Sequence, residues 1–170
     1  TGLAIAMQSR GEHSTGVSGI NSETCKVFKL AMTAEEFVAT PKFREVVHSK
    51  YDIVIGHTRL ATRGYAVNDD NAHPFLYGNI MGCHNGSVSN IDDISKKFEE
   101  EFTVDSQAIF YLLQKYSNDY HKTFSELSGR FAVTWFDVNQ PFTLYMIRDD
   151  NPIFIVKIPE IDSLFYASDM

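Results

Sequence analysis

The chain has 170 residues, 44% of them hydrophobic and 22% charged, with 15 Lys and Arg against 22 Asp and Glu for a formal net charge of -7. That length suits one domain whose core needs neither disulfides nor metal to fold. The acidic balance excludes non-specific binding to nucleic acid or to an anionic membrane surface, both of which need a basic face. Cys25 and Cys83 lack CxxC spacing, no apolar run reaches membrane-spanning length, and no secretory signal is present. A cytoplasmic location, with no nucleic-acid or membrane partner, is the expectation.

In chain order, Leu3 to Met7 carry a short helical stripe that ends at Arg10-Gly11. Ser14 to Ile20 and Lys26 to Ala31 predict two strands around the polar turn Asn21-Ser22-Glu23. Two short helices follow near Ala34–Val38 and Lys42–His48, with Pro41 between them. Tyr51 to His57 predicts a buried strand, and the polar stretch Thr62 to Pro74 is long enough for a functional loop. Leu76 to His84 predicts a strand that stops at Asn85-Gly86. A charged helix capped by Asn90 or Asp92 runs to Glu100, and Asp105 to Tyr116 predicts a second, with Ile109, Leu112 and Leu113 on one face. Four strands follow, at Phe131–Phe136, Thr143–Ile147, Ile153–Ile158 and Leu164–Ala167. Strands at both ends and helices between them predict an α+β layered domain rather than a doubly wound parallel sheet.

Three segments carry residues suited to chemistry. In His57-Thr58-Arg59-Leu60-Ala61-Thr62, at a strand end, Arg59 offers a planar fork for a carboxylate. In His84-Asn85-Gly86, an amide side chain and an adjacent glycine N–H can together form an oxyanion hole, although Asn-Gly is also the commonest tight-turn signal. Asp105, at a helix start, can accept an ammonium group or act as an ordinary N-cap. Cys83 and His84 cannot act as a nucleophile–base pair, because neighbouring side chains on a strand point to opposite faces; Cys83 is expected to be a small buried apolar residue.

Together these segments resemble the class II glutamine amidotransferases, a family with the N-terminal-nucleophile hydrolase fold. Arg10-Gly11-Glu12-His13-Ser14-Thr15-Gly16 resembles the family's Arg-Gly-x-x-Ser-x-Gly, and His57 to Thr62 its His-Thr-Arg segment. Asn71-Ala72-His73-Pro74, His84-Asn85-Gly86, Asp105-Ser106-Gln107, Arg148-Asp149-Asp150-Asn151-Pro152 and Ala167-Ser168-Asp169 are similar to further segments, all in family order. The resemblance implies a four-layer αββα sandwich with two mostly antiparallel sheets. It implies hydrolysis of the side-chain amide of L-glutamine to glutamate and ammonia through a thioester, with the ammonia passed to a synthase domain or subunit, and with no cofactor or metal. Arg59 would bind the substrate α-carboxylate and Asp105 its α-ammonium, while Thr62, His73 and His84 line the pocket. Asn85 and the Gly86 N–H would be the catalytic oxyanion donors. Three positions depart from the family pattern: Leu60 replaces an aromatic residue, Arg63 a histidine, and His13 an Asp or Gln.

Family members begin at a catalytic Cys-Gly whose own amine is the base. Thr1-Gly2 lies only nine residues before Arg10, and Gly2 to Ser9 matches the helix that leads into Arg-Gly. The expectation is therefore a single glutaminase domain over 1–170, truncated at both ends, with a Cys-Gly-led segment upstream and Thr1 not the nucleophile. Two alternatives stand beside it. One is a non-catalytic glutamine-binding module without the cysteine. The other is a metal-dependent hydrolase using His57, His73 and His84 with Asp69 and Asp70, for which no HExxH-type spacing exists.

Overall fold

The computed structural model describes residues 1–61 and 67–169. After the short helix α1 (Gly2–Ala6), the first sheet holds β1 (Ser14–Ile20) between β2 (Cys25–Leu30) and β3 (Ile53–Arg59). In the second, β4 (Phe75–Tyr77), β5 (Ile80–Val88), β6 (Gly129–Asp137) and β7 (Tyr145–Asp149) follow in chain order. β8 (Phe154–Ile158) and β9 (Ser163–Ala167) form a separate hairpin, an addition to the two expected sheets, and every strand pairing among the described residues is antiparallel.

Side-chain alternation along the strands sorts three apolar cores into layers. Val17 on β1 packs with Phe37, Phe43 and Val46 from α2 (Ala34–Ala39) and α3 (Pro41–Val47). Ile20, Ile53 and Ile55 on the opposite face of that sheet meet Met81, Cys83 and Phe136 of the second sheet. The far face of the second sheet, with Ile80, Val133 and Trp135, takes Ile94 of α4 (Ile91–Phe98) and Ile109, Leu112 and Leu113 of α5 (Asp105–Lys115). Helices, sheet, sheet and helices thus stack in the expected αββα order. Burying each of these large apolar side chains stabilises the fold by about 1.5–3 kcal/mol before chain entropy is subtracted.

Local signals set the helix starts. The Thr33 hydroxyl accepts from the Glu36 N–H while the Glu36 carboxylate accepts from the Thr33 N–H, a reciprocal cap on α2. Thr40 caps α3 with Pro41 in its first turn. At α5 the Gln107 side-chain oxygen accepts from the N–H groups of Thr103 and Val104.

The structure corrects several sequence expectations. Leu76 to His84 is not one strand: Gly78, in the left-handed region, and Asn79 turn the chain between β4 and β5. Conversely, Asn85-Gly86 is no turn, because β5 continues through it, pairing Asn85 with Ala132 and Gly86 with Phe131. β3 begins and ends later than expected, since its register with β1 extends to Arg59 opposite Ser14. Asp105 is the first residue of α5 rather than its cap, which is Val104. The short polar helix α6 (Tyr120–Ser125), capped by Asp119, had no apolar stripe to reveal it. Among the described residues no helix is long and apolar enough to cross a membrane.

Candidate active site

Two strands carry the site by continuing their core pattern. Ile53, Ile55, His57 and Arg59 share one face of β3, and Met81, Cys83 and Asn85 share the facing side of β5. The inter-sheet layer is therefore apolar at one end and polar at the other. The polar end opens into a cavity of about 1370 Å³ whose lining includes Arg59, His73, His84, Asn85, Gly86 and Asp105. Six of the seven residues singled out from sequence thus border one space; Thr62 lies outside the described residues.

Glycines bring the pieces close. A Cβ at Gly11 would stand 2.2 Å from the Arg59 carbonyl carbon, and one at Gly16 would stand 2.0 Å from the His73 carbonyl oxygen. Both glycines of the Arg-Gly-x-x-Ser-x-Gly segment are therefore contact points for site-bearing backbone. The His13 ring accepts the Ala61 N–H at 2.8 Å, and the His13 backbone N–H donates to the Arg59 carbonyl at 3.0 Å. Arg10 and Asp169, from opposite ends of the chain, form an exposed ion pair of 3.6 Å.

Asp105 joins α5 to the end of β5: its carboxylate accepts the Val88 N–H at 2.8 Å and the Ser106 N–H at 3.0 Å. The Ser106 hydroxyl lies 2.8 Å from His84 Nδ1. His84 thus turns to the helix side while Cys83 packs between the sheets, and burial pushes the Cys83 thiol up, away from the reactive thiolate. This separation agrees with the strand argument against a Cys83–His84 pair.

Two imidazoles, His57 and His73, lie near Arg59, and His84 lies near both of them. The rings of His57 and His73 lie 4.1 Å apart, and His73 meets Phe75 edge-on at 4.7 Å. Burial, reinforced by the neighbouring imidazoles and Arg59, lowers His57 to about 3 and holds His73 well below the usual imidazole range. Burial also lowers His84 to about 4 against the opposing pull of Asp105. All three are neutral at physiological pH, which spares the buried Arg59 like charges from His57 and His73. Burial pulls Arg59 down, and attraction to Asp105 opposes that shift.

Asp69 and Asp70 do not join the histidines. The Asp69 carboxylate accepts the Ala31 N–H at 2.6 Å, on the β2 side of the loop. Among the described residues no three of His, Cys, Asp and Glu are arranged to hold a metal ion. Lys29 went unmarked by any local pattern, yet its Nζ donates to the carbonyls of Ala72 at 2.7 Å and Asp70 at 3.2 Å. It lies 4.8 Å above the Phe75 ring and so clamps the loop that delivers His73. His57, weighed in sequence only as a metal ligand, is the ring against which His73 packs.

On its outer side the cavity is bordered by two sheet edges with no strand alongside among the described residues. β3 pairs only with β1, and β9 only with β8. Apolar side chains stand exposed along both, Val54 at 51% and Leu164 at 67%.

A layered antiparallel αββα fold with a buried arginine and an Asn-Gly pair at the inter-sheet mouth matches the N-terminal-nucleophile architecture that the resemblance implied. Comparison with known proteins agrees: a family model described as "Glutamine amidotransferase domain" matches residues 57–170. The chain belongs to this family of class II glutamine amidotransferase domains. It is 30% identical over 178 residues to a glutamine–fructose-6-phosphate aminotransferase (isomerizing) of Thermococcus kodakarensis, covering 96% of this chain and 29% of that protein. Its counterpart in Campylobacter jejuni is 28% identical over 174 residues, with the same coverage. Among solved structures, glutamine phosphoribosylpyrophosphate amidotransferase from B. subtilis superposes with a TM-score of 0.77 at 22% identity, covering 98% of this chain and 38% of that one. The chain thus spans less than a third of the length of these curated relatives.

Proposed function

We propose that this chain is the glutamine-hydrolysing domain of a larger amidotransferase, and that the cavity between its sheets binds L-glutamine. The convergence of Arg59, Asp105, Asn85 and Gly86 on that one cavity carries the proposal. Arg59 grips the α-carboxylate, and Asp105 accepts the α-ammonium with the carboxylate capacity left beyond its two backbone bonds. His73 and His84 form walls of the cavity, and the family resemblance assigns Thr62 to substrate binding as well. Neutral imidazoles suit that role, since they add no charge to compete with Arg59 for the substrate.

The nucleophile in this proposal is an N-terminal cysteine on an extended segment preceding Thr1, seated between the free edges of β3 and β9. The exposed apolar residues on those edges support it, as does a volume above the roughly 300–1,000 Å³ usual for a small-molecule pocket. The cysteine's α-amine takes the thiol proton, and the thiolate attacks the side-chain amide carbon. The Asn85 side chain and the Gly86 N–H hold the oxyanion, ammonia departs, and water hydrolyses the thioester to glutamate. Ammonia then passes to a synthase domain or subunit in the cytoplasm. The names of the relatives pair glutamine with a phosphorylated sugar, and we take the acceptor from that class.

The test is ammonia release from glutamine by the full-length protein. Arg59→Ala should chiefly raise KM, by about tenfold or more, as loss of a charged hydrogen-bond partner does. Asn85→Ala should lower kcat by about 10²–10³-fold with KM little changed. Glutamine binding without turnover, in a protein whose upstream segment lacks cysteine, would instead identify a binding module. Neither binding nor turnover by full-length protein, with its synthase portion present, overturns the proposal.

A further inference from the structure

The Asn85 carbonyl accepts a hydrogen bond of 2.8 Å from Nδ2 of Asn151, a residue 66 positions further along the chain. Asn151 lies in the turn after β7, where its own N–H donates to the Asp149 carbonyl at 2.7 Å and Pro152 follows. Its side chain can approach because residue 86 has none. A Cβ on Gly86 would stand 2.6 Å from Asn151 Nδ2 and 2.0 Å from the Arg130 carbonyl oxygen, and Gly86 adopts a φ of 140 degrees.

The bond bears directly on the oxyanion hole. The peptide joining Asn85 to Gly86 is planar, and the single cis bond among the described residues lies elsewhere, at His73-Pro74. Its C=O and N–H therefore point in opposite directions. A carbonyl held by Asn151 fixes the direction of the Gly86 N–H, and a peptide that cannot rotate keeps its donor aimed before charge develops. Such preorganisation is what makes an oxyanion donor effective.

Resting on the oxyanion role proposed above, we infer that Asn151 is a positioning residue that locks the Asn85–Gly86 peptide in its donating orientation. It touches no substrate atom; it acts through the backbone of its neighbours. The segment Arg148 to Pro152, which runs out of the end of β7, thereby gains a task in the reaction, delivering an amide to the back of the oxyanion hole.

The test compares full-length wild type with Asn151→Asp, Asn151→Ala and Asn151→Gln. Asp keeps the shape but sets an acceptor against the carbonyl, whereas Gln keeps the donor on a longer stem. The Asp and Ala variants should lose kcat by about tenfold or more with KM for glutamine within about twofold, and Gln should recover part of the loss. Unchanged kcat in a folded Asp variant overturns the inference, as does a KM rise that accounts for the whole loss. A second readout needs no turnover. The Gly86 amide resonance should be sharp in wild type and broadened by microsecond–millisecond exchange in the Asp variant. Equal line widths overturn the inference even where activity is low. Failure of the wild type to release ammonia counts against the proposed function instead, and the resonance still decides the role of Asn151.

Discussion

The two ends of the inter-sheet layer are built from the same strands to opposite purposes. At one end Ile53 and Ile55 of β3 meet Met81 and Cys83 of β5 in a dry contact with Phe136. Two residues further along each strand, the same faces present His57, Arg59 and Asn85 to a cavity. There, His57 Nδ1, both ring nitrogens of His73 and His84 Nε2 have no hydrogen-bond partner among the described residues. Unsatisfied buried polar atoms are costly, and a fold tolerates them where function requires them. The site inherits rigid positioning from the core without adding stability of its own, the arrangement that catalytic geometry requires.

Substitutions at the two ends should therefore separate stability from turnover. The largest effect belongs to Asn85→Ala, whose loss of turnover should come with no fall in melting temperature. A comparable fall in Tm would erase the distinction between the two ends. Ile55→Ala, at a fully buried position, should cost about 2–5 kcal/mol in chemical denaturation while KM of the folded fraction stays constant. A KM change without loss of stability would show that the apolar end, too, shapes the pocket.

Acid offers the next contrast. Folded His57 lies near 3 and His84 near 4, both below the unfolded value of about 6.5. Between those limits the unfolded chain binds more protons, so stability is complete above about pH 6.5 and is lost as pH falls toward the folded values. Each histidine contributes a slope of at most about 1.4 kcal/mol per pH unit. Denaturant titrations at several pH values should show the decline, and His57→Gln should make it shallower; an unchanged slope would mean that the imidazoles are not held neutral by the fold. The smallest effect is expected at the loop clamp. Lys29→Met should raise KM by about fivefold, the equivalent of one hydrogen bond, with kcat preserved. A fall in kcat alone would point to the oxyanion side of the cavity instead.

Much of this was legible in the chain because periodicity is local. The apolar stripe of Ile109, Leu112 and Leu113 marked α5, and the seven-residue strand Ser14–Ile20 has the bounds expected of it. Arg59 could be placed near a strand end for the same reason. The misplaced features depended on distant partners. Whether Asn-Gly turns or continues is decided by β6, which runs alongside Asn85 and Gly86, and a two-residue turn at Gly78-Asn79 took the role instead. The stacking of His57 on His73, the hold of Lys29 on Ala72 and the reach of Asn151 to Asn85 all join residues far apart in the chain. No spacing rule reports such contacts. The αββα order was accessible only through resemblance, since strands at both ends with helices between them predict layers but not their sequence.

The near-contact of Gly16 with the His73 carbonyl has a consequence for how mutational maps of this domain should be interpreted. A saturation scan scored by growth or turnover would rank Gly16 with the residues that touch substrate, because any side chain there must push β1 away from the loop bearing His73. Its intolerance would record a spacing tolerance rather than a chemical role. Kinetics on the surviving variants can tell the two apart. A displaced wall weakens binding and steadiness of the pocket together, whereas a missing donor leaves substrate bound and unreacted.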